Sequence, residues 1–247
     1  IDLALHVGRL TAVLLYFRSE TKGLFLAAPG NLGIAPARRA TEGTLYHQLL
    51  WGLIIGTIPM VIVGGLIVAA DIMDSLRTAE VIATTSITFG LLLYWADKKG
   101  MTEKTLERMA LKPALLIGLA QVFALIPGTS RAGVTMTAAR FLGFNRQDAA
   151  RFSMLLSIPA ILASGAAAVL KAMKETGPQP WAEAALAAGL ACIVALAAIH
   201  LLMRWLEKAN MTLFVVYPLP LGVPLVGLIW LGILKGVDRG PWPPKPA

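Results

Sequence analysis

The sequence contains little charge, few aromatic residues and a single cysteine. Of its 247 residues, 15% are charged, 7% are aromatic and 57% are hydrophobic, and the mean hydropathy is +0.70. The lone Cys192 excludes a disulfide or a cysteine-rich metal centre within one chain. The shortage of charge excludes an ordinary soluble domain, and the long apolar runs that take its place are typical of a polytopic membrane protein.

The formal net charge is +8, from 22 basic and 14 acidic residues. The basic residues lie mainly in short connections between apolar runs, notably 18–46 and 97–112. Two predicted crossings separate these connections, so both lie on one side, which the positive-inside rule makes cytoplasmic. We therefore expect contact with the lipid bilayer and no nucleic-acid partner.

Six apolar runs are long enough to cross a bilayer, which takes about 20 mostly apolar residues. They cover roughly 2–17, 48–70, 79–96, 152–170, 182–203 and 211–234. The predicted fold is an all-α integral membrane protein, a polytopic helical bundle in which residues 1–247 form one transmembrane domain. The stretches around Pro59 and Pro159, "LIIGTIPMVIVGG" and "MLLSIPAILASG", favour inverted repeats, with chance likeness between two apolar helices as the alternative.

Residues 113–143 break this pattern. The apolar stretch 113–126 is too short to cross a bilayer and ends at Pro127-Gly128, and a second short stretch runs from Val134 to Gly143. Two half-helices joined by a polar turn predict a re-entrant hairpin. Such a hairpin is tolerated at membrane depth where it is buried in protein or lines a wet cavity.

The turn of this hairpin has the composition of a phosphate site. An arginine in hydrocarbon costs at least about 2.5–3.5 kcal/mol to insert, so Arg131 should face a cavity and have an anionic partner. A helix that begins just after Arg131 directs its free N–H groups and its positive dipole end at the same place. Glycines that permit close approach and hydroxyl donors surround it: Gly128, Thr129, Ser130, Gly133 and Thr135. The alternative, that Arg131 snorkels to the interface, leaves these neighbours unexplained.

Two other groups of residues have simpler expected roles. The segment "MTEKTLERMA" (101–110) is expected to form a short amphipathic surface helix. Arg140, Arg146 and Arg151 follow the hairpin, and we expect them at the interface, facing lipid phosphates.

The stretches "QVFALIPGTSRAGVT" (121–135) and "RFLGFNRQDAARFSMLLSIPAILASG" (140–165) resemble the second signature region of the undecaprenyl-diphosphate phosphatases, the bacitracin-resistance family of integral membrane enzymes. The opening "IDLALHVGRLTAVLLYFR" and the stretch 52–59 are also similar to that family. The resemblance implies hydrolysis of undecaprenyl diphosphate to undecaprenyl phosphate and inorganic phosphate, which recycles the carrier lipid for peptidoglycan synthesis. It also implies a location in the bacterial cytoplasmic (inner) membrane.

The resemblance assigns roles to the residues of the turn. Arg131 and Ser130 are the catalytic candidates, since Arg131 would clamp the diphosphate and stabilise charge on the transferring phosphoryl group. The substrate-binding candidates are Gly128, Thr129, Gly133, Thr135 and Gln121. For Gln121, a purely structural hydrogen bond between helices is an equal alternative.

The resemblance further implies a divalent cation, magnesium or calcium. No carboxylate cluster inside a predicted span could hold one, and nothing in residues 1–247 matches the family's first, glutamate-rich signature. We expect that signature hairpin, with the metal ligands, upstream of Ile1, so that this chain is truncated at its N-terminus. A homodimer is left open.

Two other functions are compatible with parts of the sequence. A transporter or flippase for an anionic solute or lipid phosphate also uses broken helices, inverted repeats and an arginine near the membrane midplane. Paired glutamates upstream of Ile1 would favour the enzyme over the transporter. A purely structural subunit would leave the cost of inserting Arg131 without an offsetting benefit.

Overall fold

The computed structural model describes residues 2–31, 45–70, 78–100, 103–172, 181–212 and 227. The described residues form helices and contain no strand, only an isolated bridge between Lys104 and Phe144. The helices are α1 (Asp2–Tyr16), α2 (Arg18–Asn31), α3 (Leu45–Ala69), α4 (Ala79–Lys99), α5 (Leu111–Gln121), α6 (Arg131–Phe141), α7 (Arg146–Ala172) and α8 (Trp181–Lys208), with 3-10 turns at Leu106–Arg108 and Val122–Leu125. The predicted all-α class is confirmed.

Three of the described helices are long and apolar enough to cross a membrane: Leu45–Ala69, Arg146–Ala166 and Ala182–Lys208. Their outer faces carry large apolar side chains that nothing covers in the described part of the chain. On α8, Leu186, Ile193 and Leu201 are each more than half exposed. Lipid tails satisfy such a surface, whereas water would not. The predicted span 211–234 lies almost entirely outside the described residues.

The helices approach one another closely where both carry small residues. A Cβ on Gly118 of α5 would lie 2.2 Å from the Gly56 carbonyl oxygen of α3, and one on Gly8 of α1 would lie 2.3 Å from the Ala188 carbonyl oxygen of α8. Small residues allow backbones to pack closely in membrane proteins, where dispersion between helices replaces much of the hydrophobic driving force. These contacts join α3 to α5 and α1 to α8.

The two short helices of the predicted hairpin are present. α5 and α6 pack against each other, and Pro127-Gly128 lies in the turn between them. α6 begins at Arg131 with Ser130 as its N-cap. It ends in a Schellman motif, in which Gly143 has φ +90° and Phe144 N–H donates to Ala139 O at 3.1 Å. Re-entry into the membrane and inverted repeats stay predictions.

The prediction of a surface helix at 101–110 is wrong for the described residues 103–110. Only Leu106–Arg108 is helical there, as one 3-10 turn. The backbone instead pairs with the loop after α6: Lys104 N–H donates to Gly143 O at 3.0 Å, and Leu106 N–H donates to Asp148 Oδ2 at 3.1 Å. Tertiary partners satisfy the backbone groups that a local helix would otherwise have paired.

The interfacial position expected for Arg140 is also wrong. Arg140 is fully buried, and its Nε lies 3.3 Å from Asp97 Oδ1 at the end of α4. Arg146 pairs with the same carboxylate at 2.7 Å, and Arg151 pairs with Glu20 of α2. The three arginines therefore join helices within the protein rather than forming a free basic patch.

Candidate active site

The turn between α5 and α6 has the geometry of a type II β-turn. Pro127 occupies its second position and Gly128, with φ +87°, its third. Thr129 N–H closes the turn by donating to Ile126 O at 3.2 Å. The third position of this turn requires the left-handed conformation that glycine adopts freely. The dipeptide Pro-Gly therefore determines where the chain reverses.

This turn packs tightly against α4. A Cβ on Gly128 would lie 2.4 Å from Ile82 O. Thr85 Oγ1 lies 2.7 Å from Pro127 O, and Ser86 Oγ donates to Gly128 O at 2.9 Å. Thr85 and Ser86 were not among the predicted site residues, although the hydroxyl run at 84–88 inside an apolar helix is a signal that could have identified them.

Ser130 starts α6 by capping it. Its Oγ accepts a hydrogen bond from Gly133 N at 3.2 Å, and its carbonyl oxygen accepts one from Val134 N at 2.9 Å. The N–H groups of the first helical turn lack acceptors within the helix, and they carry the positive end of its dipole. The start of α6 thus has the electrostatic character of an anion site, as the sequence predicted.

Buried polar atoms without a hydrogen-bond partner concentrate in this part of the described chain. They include both amide atoms of Gln121, Thr129 Oγ1 and Arg131 Nη1. Gln121 is 0% exposed. Leaving a buried polar group unpaired costs about 1–3 kcal/mol, and more for a charged group. Three such side chains within residues 121–131 point to a polar ligand or partner that would complete their hydrogen bonds.

A cavity of about 380 Å³ opens beside the turn. One part of its wall is polar or backbone in character, formed by Ser86, Gly128, Ser130 and Gly133. The other part is apolar, formed by Phe89, Leu93, Met136 and Leu202. A site with a polar end beside a helix N-terminus and an apolar remainder suits a molecule with an anionic head and a hydrocarbon chain.

The predicted site residues do not all share this cavity. Gly128, Ser130 and Gly133 line it, whereas Gln121, Thr129, Arg131 and Thr135 are not among its lining residues. Thr135 is buried, with its Oγ1 2.9 Å from Arg131 O and 2.6 Å from Ser153 Oγ of α7. Its hydroxyl is thus already bonded, and its predicted contact with substrate stays a prediction.

The described residues do not provide a metal site. No group of three or more His, Cys, Asp or Glu side chains that could hold a metal ion occurs among them. No salt bridge to Arg131 is formed there either. The described residues of the turn therefore offer groups for an anion, and the ligands of a divalent cation would have to come from outside the described residues.

The family model described as bacitracin resistance protein BacA matches residues 1–224. The chain belongs to this family. The part of the chain that the structure describes contains three helices long and apolar enough to span a bilayer. This BacA-family chain is therefore a multi-pass membrane protein.

Proteins named undecaprenyl-diphosphatase are similar over most of their length. The one from Roseobacter denitrificans is 45% identical over 226 residues, which cover 92% of this chain and 82% of the relative. The one from Saccharophagus degradans is 44% identical over 229 residues, covering 93% and 83% respectively. The one from Colwellia psychrerythraea is 45% identical over 232 residues, with the same two shares.

Proposed function

We propose that this BacA-family chain hydrolyses undecaprenyl diphosphate. The bond between the terminal phosphorus and the bridging oxygen breaks, and water supplies the oxygen that leaves with inorganic phosphate. Undecaprenyl phosphate, the second product, returns to cell-wall polymer synthesis. The observation that carries this proposal is that three buried side chains between the end of α5 and the start of α6, Gln121, Thr129 and Arg131, have polar atoms without a hydrogen-bond partner among the described residues.

A diphosphate would offset the cost of this arrangement. Its oxygens can accept hydrogen bonds from the guanidinium of Arg131, the hydroxyl of Thr129 and the amide nitrogen of Gln121. Phosphoryl transfer needs mainly positioning and electrostatic stabilisation of charge on the oxygens of the transferring group. Arg131 and the N-terminus of α6 supply positive charge in fixed positions.

The lipid part of the substrate accounts for the apolar half of the cavity. Phe89, Leu93, Met136 and Leu202 form a surface that excludes water beside the polar turn. A polyprenyl chain leaving the head group can follow this surface into the surrounding lipid.

Three finer statements belong to the same proposal. The enzyme acts in the bacterial cytoplasmic membrane and requires magnesium or calcium. Whether it forms a homodimer is decided by measurement. Cation dependence is measured by removing divalent ions with EDTA and restoring each ion in turn. Location is measured by membrane fractionation, and oligomeric state by light scattering of the detergent-solubilised protein.

The test is phosphate release from undecaprenyl diphosphate by the purified full-length protein. Arg131→Ala should lower kcat by about 10²–10³, the usual cost of losing one transition-state donor. Arg204→Ala, an exposed arginine on α8, is the matched control and should retain turnover. Absence of phosphate release by the unaltered protein would overturn the function, and near wild-type turnover of Arg131→Ala would overturn the role of Arg131.

A further inference from the structure

α4 holds the turn of the candidate site through two consecutive hydroxyls. Thr85 Oγ1 lies 2.7 Å from Pro127 O, and Ser86 Oγ donates to Gly128 O at 2.9 Å. The two acceptors are also consecutive in sequence and belong to the peptide groups that form the reversal. Two neighbouring peptide planes are therefore fixed by one turn of a single helix.

These two bonds set the direction of the turn's backbone dipoles. A peptide group is planar, so a carbonyl that points at α4 directs the N–H of the same group away from α4. The Gly128 carbonyl bonded to Ser86 thus directs Thr129 N–H toward Ile126 O, the bond that closes the turn. The negative ends of two peptide groups just before α6 are thus directed at hydroxyls of α4.

α4 is itself fixed relative to both ends of α6. Ser86 bonds beside the N-terminus of α6, and Asp97 pairs with Arg140 near its C-terminus. Asp97 follows Ser86 by 11 residues, about 17 Å of helix, and Arg140 follows Gly128 by 12 residues through the turn and α6, a similar length. The two helices therefore run in the same direction, and α4 acts as a rigid support for the site.

We propose that Thr85 and Ser86 are positioning residues for the hydrolysis, acting through the turn on Ser130 and Arg131. This inference depends on the proposed function, since it concerns the same site. Ser86 has the larger effect of the two. The single hydroxyl proton of Thr85 is shared with Val81 O, also at 2.7 Å in its own helix, whereas Ser86 donates to the turn.

The test compares Ser86→Ala, Thr85→Val and the double variant with Thr88→Val. Thr88 is the matched control, because it is exposed and, among the described residues, its hydroxyl bonds to Thr84 O within α4. A displacement of about 1 Å at a reacting centre costs up to about 10²-fold in rate. We expect kcat to fall about tenfold in Ser86→Ala and about 10²-fold in the double variant, with a smaller change in KM. Thr88→Val should stay within about twofold.

Two further measurements separate positioning from general stability. Ser86→Thr and Thr85→Ser keep the hydroxyl and should keep most of kcat; if they lose as much as the variants without a hydroxyl, the inference fails. In an Arg131→Lys background, Ser86→Ala should cost much less than in the unaltered protein, because both changes act on the same group. If the losses in kcat from Ser86→Ala and Arg131→Lys instead multiply in the double variant, the inference is wrong.

The outcomes also distinguish the inference from the function on which it depends. If the unaltered protein releases no phosphate, the proposed function fails. If the unaltered protein is active and Ser86→Ala and Thr85→Val behave like Thr88→Val, the function stands and the positioning role is wrong.

Discussion

The guanidinium of Arg140 is buried against the carboxylate of Asp97, with Nε 3.3 Å from Oδ1. The pair joins the C-terminal end of α6 to that of α4. Arg146 Nε donates to the same Oδ1 at 2.7 Å, and Met211 N–H donates to Oδ2 at 3.0 Å. One carboxylate therefore connects α4, α6, the start of α7 and the segment after α8.

Removing this carboxylate should destabilise the protein severely. Breaking a buried ion pair by deleting one partner costs about 3–5 kcal/mol, because the remaining charge loses its compensation. Asp97→Ala should therefore lower the melting temperature of the detergent-solubilised protein strongly. Glu80→Gln, an exposed carboxylate in the first turn of the same helix, should leave it nearly unchanged. Equal melting temperatures for the two variants would contradict the central role of Asp97.

Local features of the sequence predicted much of this fold. Apolar runs predicted most of the helices, and Pro127-Gly128 predicted the reversal. The second short helix was expected to begin just after Arg131, and it begins at Arg131 itself. Each of these depends on a few neighbouring residues and on backbone preferences that are the same in any protein. The anion character of the turn was predictable for the same reason.

Contacts between distant residues could not be predicted in this way. Arg140 follows the hairpin as one of three arginines, a pattern that suggests a basic interfacial patch. Its acidic partner lies 43 residues earlier, at the end of another helix, and only tertiary packing brings the two together. The same holds for Ser86 and Gly128, which are 42 residues apart. Side-chain pairs of this kind depend on helix orientation, which periodicity does not specify.

Stability should depend on pH through Glu20. Burial raises the pKa of Glu20, but hydrogen bonds from Ser19 and Arg151 outweigh it and hold that pKa below its usual value of 4.5. A carboxyl with a lowered pKa in the folded state stabilises the fold fully above its unfolded pKa and loses that contribution as the pH falls through the folded value. The ion pair between Glu20 of α2 and Arg151 of α7 should follow this course.

The measurement compares the melting temperatures of the unaltered protein and Glu20→Gln between neutral pH and pH below 4.5. At neutral pH the unaltered protein should have a higher melting temperature than Glu20→Gln. This difference between the two melting temperatures should shrink in acid. Glu207→Gln, an exposed carboxylate on α8, should show no such trend. If the difference between the two melting temperatures grew as the pH fell, folding would raise the pKa of Glu20 rather than lower it.

Gly128 and Gly143 provide a matched pair of substitutions. Both have positive φ, at +87° and +90°, so alanine at either position costs about 1–2 kcal/mol in backbone strain. At Gly143 a Cβ would only touch the Lys104 side chain at 3.7 Å, whereas at Gly128 it would lie 2.4 Å from the Ile82 backbone oxygen. Gly128→Ala should therefore displace the turn from α4 as well.

We expect Gly143→Ala to lower the melting temperature moderately and to keep most of the phosphate release. Gly128→Ala should lower both the melting temperature and kcat. Its loss in kcat should exceed that of Gly143→Ala, because the displaced turn carries Ser130 and Arg131. Similar kinetic constants for the two variants would mean that close packing of the turn on α4 is not needed for turnover.

A substitution of Gln121 tests whether its side chain binds substrate or forms a structural hydrogen bond between helices. Its amide is fully buried, and within the described part of the chain neither its nitrogen nor its oxygen has a hydrogen-bond partner. Replacing an unpaired buried amide by an apolar group of similar size removes a desolvation cost of about 1–3 kcal/mol. Gln121→Leu should therefore keep or raise the melting temperature without substrate, while kcat/KM for undecaprenyl diphosphate falls about tenfold, the equivalent of one hydrogen bond to a charged group.

The same variant also reports on binding directly. A ligand that binds only the folded state raises the melting temperature, so substrate should protect Gln121→Leu less than the unaltered protein. Gln48→Leu, at an exposed position on α3, should change neither the protection nor kcat/KM. If Gln121→Leu instead melts lower without substrate, the amide has a structural partner between helices and the substrate contact is wrong, because a bond to substrate cannot stabilise the protein in its absence.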